Sequence, residues 1–132
     1  MFKRRNTERG QAVVEFAVIL PVLLMILFAI LQFGLVFNNY IQVTAAAREG
    51  ARKAAVSRSL GVSAAETAAT AAAKAAAPGL KQNNIGVTYP NNPTLAQGSD
   101  VAVKVTYPYS ISLLGIIVKS GTLSSTTTMR VE

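Results

Sequence analysis

The most apolar part of the chain lies near its start. Residues 16–31 read FAVILPVLLMILFAIL, sixteen apolar residues without a break, and the apolar segment extends from Gln11 to Phe37. A helix that crosses a bilayer needs about 20 largely apolar residues. The pattern therefore predicts a membrane-spanning helix. We expect a kink or a loosened turn at Pro21, because proline cannot donate a hydrogen bond to the Ala17 carbonyl.

The alanine-rich residues 38–56 contain no proline, so the helix is predicted to continue past the membrane. Glu49 and Lys53 are spaced for an i,i+4 ion pair. Arg48 and Arg52 form a basic strip, which could meet lipid headgroups or a carboxylate on a partner, or could be a solvated face. Small residues at every fourth position would let another helix backbone approach closely, although alanine is also simply a good helix former. These predicted packing residues are Ala46, Gly50 and Ala54.

A second helix is predicted after a break at residues 57–61, SRSLG. Ser63 and Glu66 fit an S-x-x-E capping box, in which the two side chains satisfy backbone N–H groups at the start of a helix. We expect an alanine-rich helix from about Ala64 to Ala77, ended by the dipeptide at residues 78–79, Pro-Gly.

The last third of the chain has the composition of a β-sheet. Residues 85–89, 101–107 and 122–131 are rich in β-branched residues, and turn signals at 89–93 and 97–98 separate the first two. Apolar and polar residues alternate from Val101 to Tyr107, which gives one polar face. The weaker run 110–118 could be a connecting strand or an apolar loop. The predicted fold class is α+β, with an antiparallel sheet of three to four strands covered on one face by the second helix.

The charge is placed unevenly, since the net charge is +7 and the first ten residues carry +3 of it. Lysine and arginine ahead of an apolar run usually keep that end of the chain in the cytoplasm. Nucleic-acid binding is not expected, because no basic stripe is interleaved with aromatic residues and no binding motif is present.

The sequence offers no sign of an enzyme or of a bound cofactor or metal. It has neither cysteine nor histidine. This excludes disulfides, catalysis by a thiol or an imidazole, and zinc sites built from cysteine and histidine. Its six acidic residues are scattered along the chain, and glycine-rich phosphate loops are absent. At 132 residues the chain is long enough for one small domain. These features favour a structural or binding role.

Glu15 is the one charged residue in the apolar segment. A carboxylate costs roughly 2.5–3.5 kcal/mol at mid-span on insertion scales and less near the edge, so an interfacial position would tolerate it. A cut between Gly10 and Gln11 gives a second interpretation. Glu15 would then be the fifth residue, and its carboxylate could pair with the new α-amino group, within one chain or between two. The helix dipole also favours a carboxylate there.

These residues resemble a known signal. A basic leader ending in Gly10, followed by QAVVEF at residues 11–16, is similar to the class III prepilin signal: glycine, four residues, then glutamate and an aromatic before an apolar helix. Pro21, AREGAR at 47–52 and two stretches of the tail extend the resemblance over nearly the whole chain. These stretches are VTYPY at 105–109 and TTMR at 127–130. The chain resembles the TadE-like family, the pseudopilins of tight-adherence (Tad/Flp) pili.

The resemblance implies a pilin-like organisation: a prepilin leader (1–10), a transmembrane and packing helix (11–57) and a small extracytoplasmic α+β domain (58–132). It implies cleavage after Gly10 by a membrane aspartic prepilin peptidase, with Gln11, Glu15 and Phe16 completing the signal. The implied role is in pilus biogenesis, as a minor component in the membrane or the pilus. Its partners would be other pilins or pseudopilins, the assembly platform and membrane lipid. Major Flp pilins are shorter and commonly have tyrosine where this chain has Phe16.

Two other hypotheses stay open. An uncleaved, signal-anchored protein with a small binding domain would share the span but would give Gly10 and Glu15 no role. A secreted protein cut by ordinary signal peptidase could use the alanines at 45–47, although such sites normally follow the apolar run closely. The three hypotheses predict chains that begin at Gln11, at Met1 and near Arg48, respectively.

Overall fold

The computed structural model describes residues 5–91, 95–113 and 116–132, with the backbone alone for residues 5–9, 58, 113 and 116. Part of the predicted leader, of the turn at 89–93 and of the run 110–118 lies outside these residues. The described elements are two α-helices, α1 (Arg5–Val56) and α2 (Val62–Ala75), and three strands, β1 (Gly86–Thr88), β2 (Asp100–Leu113) and β3 (Ile116–Arg130). Short 3-10 turns at Arg58–Leu60 and Gln82–Asn84 connect them. The α+β class is confirmed.

Helix α1 contains 52 residues and continues through Pro21. At 1.5 Å per residue it is about 78 Å long. Its N-terminal half is long and apolar enough to cross a membrane, and none of its most apolar 18-residue window is buried in the molecule. The core helix of a soluble protein would be mostly covered, so this exposed apolar surface needs a partner outside the chain.

The three strands form one antiparallel sheet in the order β1-β2-β3. Strands β2 and β3 are longer than predicted and form a hairpin, in which the apolar run 110–118 supplies the end of β2 and the start of β3. The pairing is regular from Asp100 opposite Arg130 to Ile111 opposite Lys119, and the register then shifts between Ile111 and Ser112. The run is therefore neither a separate strand nor a loop over its described residues.

Helix α1, and not the alanine-rich α2, is the helix that lies on β2 and β3. The apolar face predicted for β2 is confirmed, because Val101, Val103 and Val105 are fully buried. They share one core with small residues from the C-terminal part of α1. Helix α2 packs on the same part of α1 through a stripe of buried alanines, namely Ala65, Ala69 and Ala73. The alternation in β2 identified the buried face of the sheet, but it carries no information about which helix covers that face.

The predicted capping box is wrong. Helix α2 begins at Val62, its N-cap is Gly61, and no side-chain cap hydrogen bond is present. Gly61 has a φ of 82°, a left-handed conformation that glycine adopts without steric cost. The helix therefore starts before Ser63, which already lies in the first turn. Its C-terminal end is also earlier than predicted, at Ala75.

Candidate functional site

The predicted cleavage site lies on the exposed N-terminal part of α1. Gly10 is exposed, and a Cβ atom built on it would meet no atom within 4 Å. Glycine within a helix costs roughly 0.5–1 kcal/mol relative to alanine. Nothing that the described part of the chain places near Gly10 offsets this cost. Phe16 follows with 60% of its surface exposed.

Gln11 and Glu15 lie one helical turn apart on the same face of α1. The Gln11 side-chain amide donates a hydrogen bond from Nε2 to Glu15 Oε1 at 3.1 Å. In the uncut chain the Glu15 carboxylate therefore has an amide partner from its own helix. The i,i+4 spacing that allows this bond also brings the backbone nitrogen of Gln11 to the same turn. Pairing of Glu15 with an α-amino group at Gln11 stays a prediction.

The predicted packing residues are buried inside the chain. Ala46 is fully buried and Ala54 nearly so, and both belong to the core cluster shared with α2 and the sheet. Gly50 lies between the two: a Cβ atom there would come within 3.1 Å of Ala73 Cβ and 3.2 Å of Val103 Cγ1. This glycine lets α1 approach α2 and β2 at the same point. The helix that packs against these small residues is thus α2 of the same chain.

The basic strip carries an ion pair different from the predicted one. Arg52 donates from Nε to Glu49 Oε2 at 3.0 Å and also contacts the other carboxylate oxygen, so Glu49 pairs with Arg52 and not with Lys53. The planar guanidinium can donate two parallel hydrogen bonds to a carboxylate, whereas an ammonium cannot. Arg48 is exposed one turn before Arg52. The pair lies on the surface, where such pairs contribute little to stability.

Gln32 and Tyr89 make long-range contacts that were not predicted from the sequence. The Gln32 side chain on α1 donates from Nε2 to the Ser112 carbonyl at the far end of the hairpin, at 2.8 Å. The Tyr89 hydroxyl donates to the Glu66 carbonyl of α2 at 2.7 Å and accepts from the Thr70 hydroxyl at 3.0 Å. Partial burial raises the pKa of Tyr89 above its ordinary value. A polar residue in an apolar run, as at Gln32, is the only local signal of the first contact.

The side chain of Asn91 also pairs with the backbone of β2 at the start of this strand, which β1 does not reach. Asn91 donates from Nδ2 to the Asp100 carbonyl at 2.6 Å, and its Oδ1 accepts from the Ala102 N–H at 3.1 Å. The amide thus continues the ladder in place of a strand backbone. Within the described ranges, no group of three or more acidic, histidine or cysteine residues could hold a metal ion.

Residues 10–52 match a family model described as TadE-like protein. The chain has no significant match among curated proteins or solved structures. The matched segment contains every processing and packing residue proposed from the sequence except Ala54. It ends before α2 and the sheet. The resemblance is confirmed over this segment. The match suggests involvement in Tad pilus assembly and, with the apolar part of α1, a membrane-anchored protein.

Proposed function

We propose that this chain, which is TadE-like over residues 10–52, is a minor pilin or pseudopilin in the biogenesis of a tight-adherence pilus. The observation that carries the proposal is a glycine with no structural role in the described chain, five residues before a carboxylate, at the head of an uncovered apolar helix. An enzyme has no support from the residues present, and the apolar helix favours a protein that assembles with others.

Processing is proposed between Gly10 and Gln11 by a membrane prepilin peptidase. A peptidase must bring the scissile backbone close to its own catalytic groups, and a glycine without Cβ permits the closest approach. Because a Cβ atom at Gly10 would meet none of the described atoms around it, this external requirement accounts for a residue that weakens the helix. Cleavage removes the basic leader and creates an α-amino group one turn from Glu15.

In this proposal the anchor changes its surroundings during assembly. The basic leader holds the N-terminus in the cytoplasm, and the α+β domain lies outside the cytoplasmic membrane. After processing, the apolar part of α1 leaves lipid and packs against the helices of other pilins or pseudopilins at the assembly platform. The Glu15 carboxylate and the new amine can neutralise each other, which lowers the cost of placing both in an apolar environment.

Intact mass of the protein from its native host tests the proposal. A chain that begins at Gln11 is expected, whereas a start at Met1 favours the uncleaved anchor and a start near Arg48 favours secretion. Gly10→Ala should block cleavage. Gly34→Ala is the matched control, because Gly34 is a second exposed glycine of α1 at which a Cβ would meet nothing within 4 Å. Normal cleavage of Gly10→Ala would contradict the proposal.

A further inference from the structure

We propose that the far end of the β2–β3 hairpin is a second membrane contact, which inserts into the outer interface of the bilayer beside α1. The proposed surface, called the tip patch below, consists of Ile117, Val118 and Lys119. The inference rests on the membrane anchoring of α1 in the proposed function. It adds a contact that neither the predicted span nor the TadE-like segment includes.

The position of the hairpin along α1 is the first argument. The hydrogen bond from Gln32 to the Ser112 carbonyl fixes the end of the hairpin at the level of Gln32. Gln32 lies 21 residues after Gln11, which corresponds to about 32 Å along a helix. The hydrocarbon core of a bilayer is about 30 Å thick. If the core begins at Gln11, Gln32 and the end of the hairpin lie at its outer boundary.

The second argument is the change of chemistry along β3. Its outward-facing residues are polar over most of the strand: Thr122, Ser124, Thr126 and Thr128 are exposed. Val118 continues this face and exposes 60% of its surface, and Ile117, on the other face of the strand, exposes 67%. They are the large exposed hydrophobic residues of the described sheet. Exposed apolar residues thus occur on the sheet at the level of the membrane boundary.

Lys119 supports the same location. It is exposed directly after Val118 and lies opposite Ile111 across the hairpin. An apolar pair followed by a cation is the arrangement that suits an interface, with the apolar side chains among the acyl chains and the ammonium among lipid phosphates. Lipid is favoured over a second copy of this chain, because two exposed apolar side chains are far fewer than a stable protein interface requires.

The experiment measures the depth of single labelled sites in the full chain. The sequence contains no cysteine, so single-cysteine variants can carry a fluorophore without further changes. Val118→Cys reports on the tip patch, Leu24→Cys on the middle of the apolar segment, and Thr126→Cys on the polar part of β3. Each labelled chain is reconstituted in vesicles of phosphatidylcholine and phosphatidylglycerol containing lipids with a quencher on the acyl chain. Iodide in the buffer quenches water-exposed labels.

Lipid quenching at Val118 several-fold stronger than at Thr126, together with weak iodide quenching, is the expected result. Strong quenching by lipid at Leu24 with none at Val118 would overturn the tip-patch inference and leave the anchor intact. Protection of Val118 from both quenchers would also overturn it, because the site would then be covered by a second copy of the chain. If the lipid quencher does not quench the label at Leu24→Cys, α1 is not in the membrane, and both the proposed anchoring and the tip-patch inference are wrong.

Discussion

Tyr89 links two elements that are far apart in sequence through one hydroxyl group. It donates to the Glu66 carbonyl and accepts from Thr70, so it fixes the end of β1 to the middle of α2. Partial burial is the main reason for its raised pKa, since a phenolate there would lose part of its hydration. The residue therefore ties the stability of the domain to pH in the alkaline range.

Tyr89→Phe is expected to lower the free energy of unfolding by about 0.5–1.5 kcal/mol, the usual net contribution of a hydrogen bond. The pKa of Tyr89 is higher in the folded than in the unfolded protein. Tyr89 therefore makes its full contribution to the free energy of unfolding below about pH 10, the ordinary tyrosine pKa. This contribution is lost as the pH rises through the pKa of Tyr89 in the folded protein. The free energy of unfolding of the wild-type protein and of Tyr89→Phe, measured in detergent from below about pH 10 into the alkaline range, checks this prediction. A difference that does not shrink at high pH would contradict this account.

At the scale of elements, the distance between α1 and α2 is set by alanine and glycine. Ala69 and Ala73 are buried in one core with alanines of α1, and Gly50 leaves room for Ala73 and Val103 at once. Two helices with such small contact residues can approach closely, and larger side chains would push them apart. The many alanines of α2 therefore have two explanations. On the buried face they allow close packing, and on the exposed face they favour the helical conformation.

Ala69→Leu is expected to destabilise the domain by about 1–3 kcal/mol, because extra methylene groups in a filled core force backbone shifts. Ala71→Leu is the matched control, since Ala71 is exposed on the same helix and leucine is also a good helix former. Thermal unfolding of the two variants in the same detergent measures the difference. Equal stabilities would mean that α2 does not pack on α1 through this stripe.

Local patterns predicted the elements better than their arrangement. The apolar run, the alternation in β2 and the break before α2 are signals within one element, and each gave the correct type of structure. Which helix covers the sheet depends on contacts between α1 and two strands, the first of which begins 44 residues after the helix ends. The start of α2 was wrong because the prediction rested on the side chains at Ser63 and Glu66 and ignored the left-handed backbone of Gly61.

The same distinction applies to the candidate sites. Gly10, Glu15 and Phe16 fit the pattern of a processing signal within seven residues, and such a pattern can be recognised in a sequence without a structure. The bond from Gln32 to Ser112 joins positions 80 residues apart and has no periodicity or motif. Only the fold places the end of the hairpin beside the apolar helix, so the tip patch could not be identified from the sequence.

At the scale of the whole molecule, the proposed topology puts opposite ends of the chain on opposite sides of the cytoplasmic membrane. In intact spheroplasts, a membrane-impermeant maleimide should label Thr126→Cys as fast as it does after lysis. An Asn6→Cys variant that also carries Gly10→Ala, so that the leader is retained, should react only after lysis. Labelling of both sites before lysis, or of neither, would contradict a single span with an extracytoplasmic domain.

Helix α1 passes from the apolar segment into the domain core without interruption, from Arg5 to Val56. Its C-terminal part supplies core residues from Val43 to Ala55, and these pack against α2 and the sheet. The domain is thus built around the end of its own anchor and is not suspended from it by a linker. If an assembly machinery moves α1 along its axis or rotates it about that axis, the domain must move and rotate with the helix, because no flexible linker separates them.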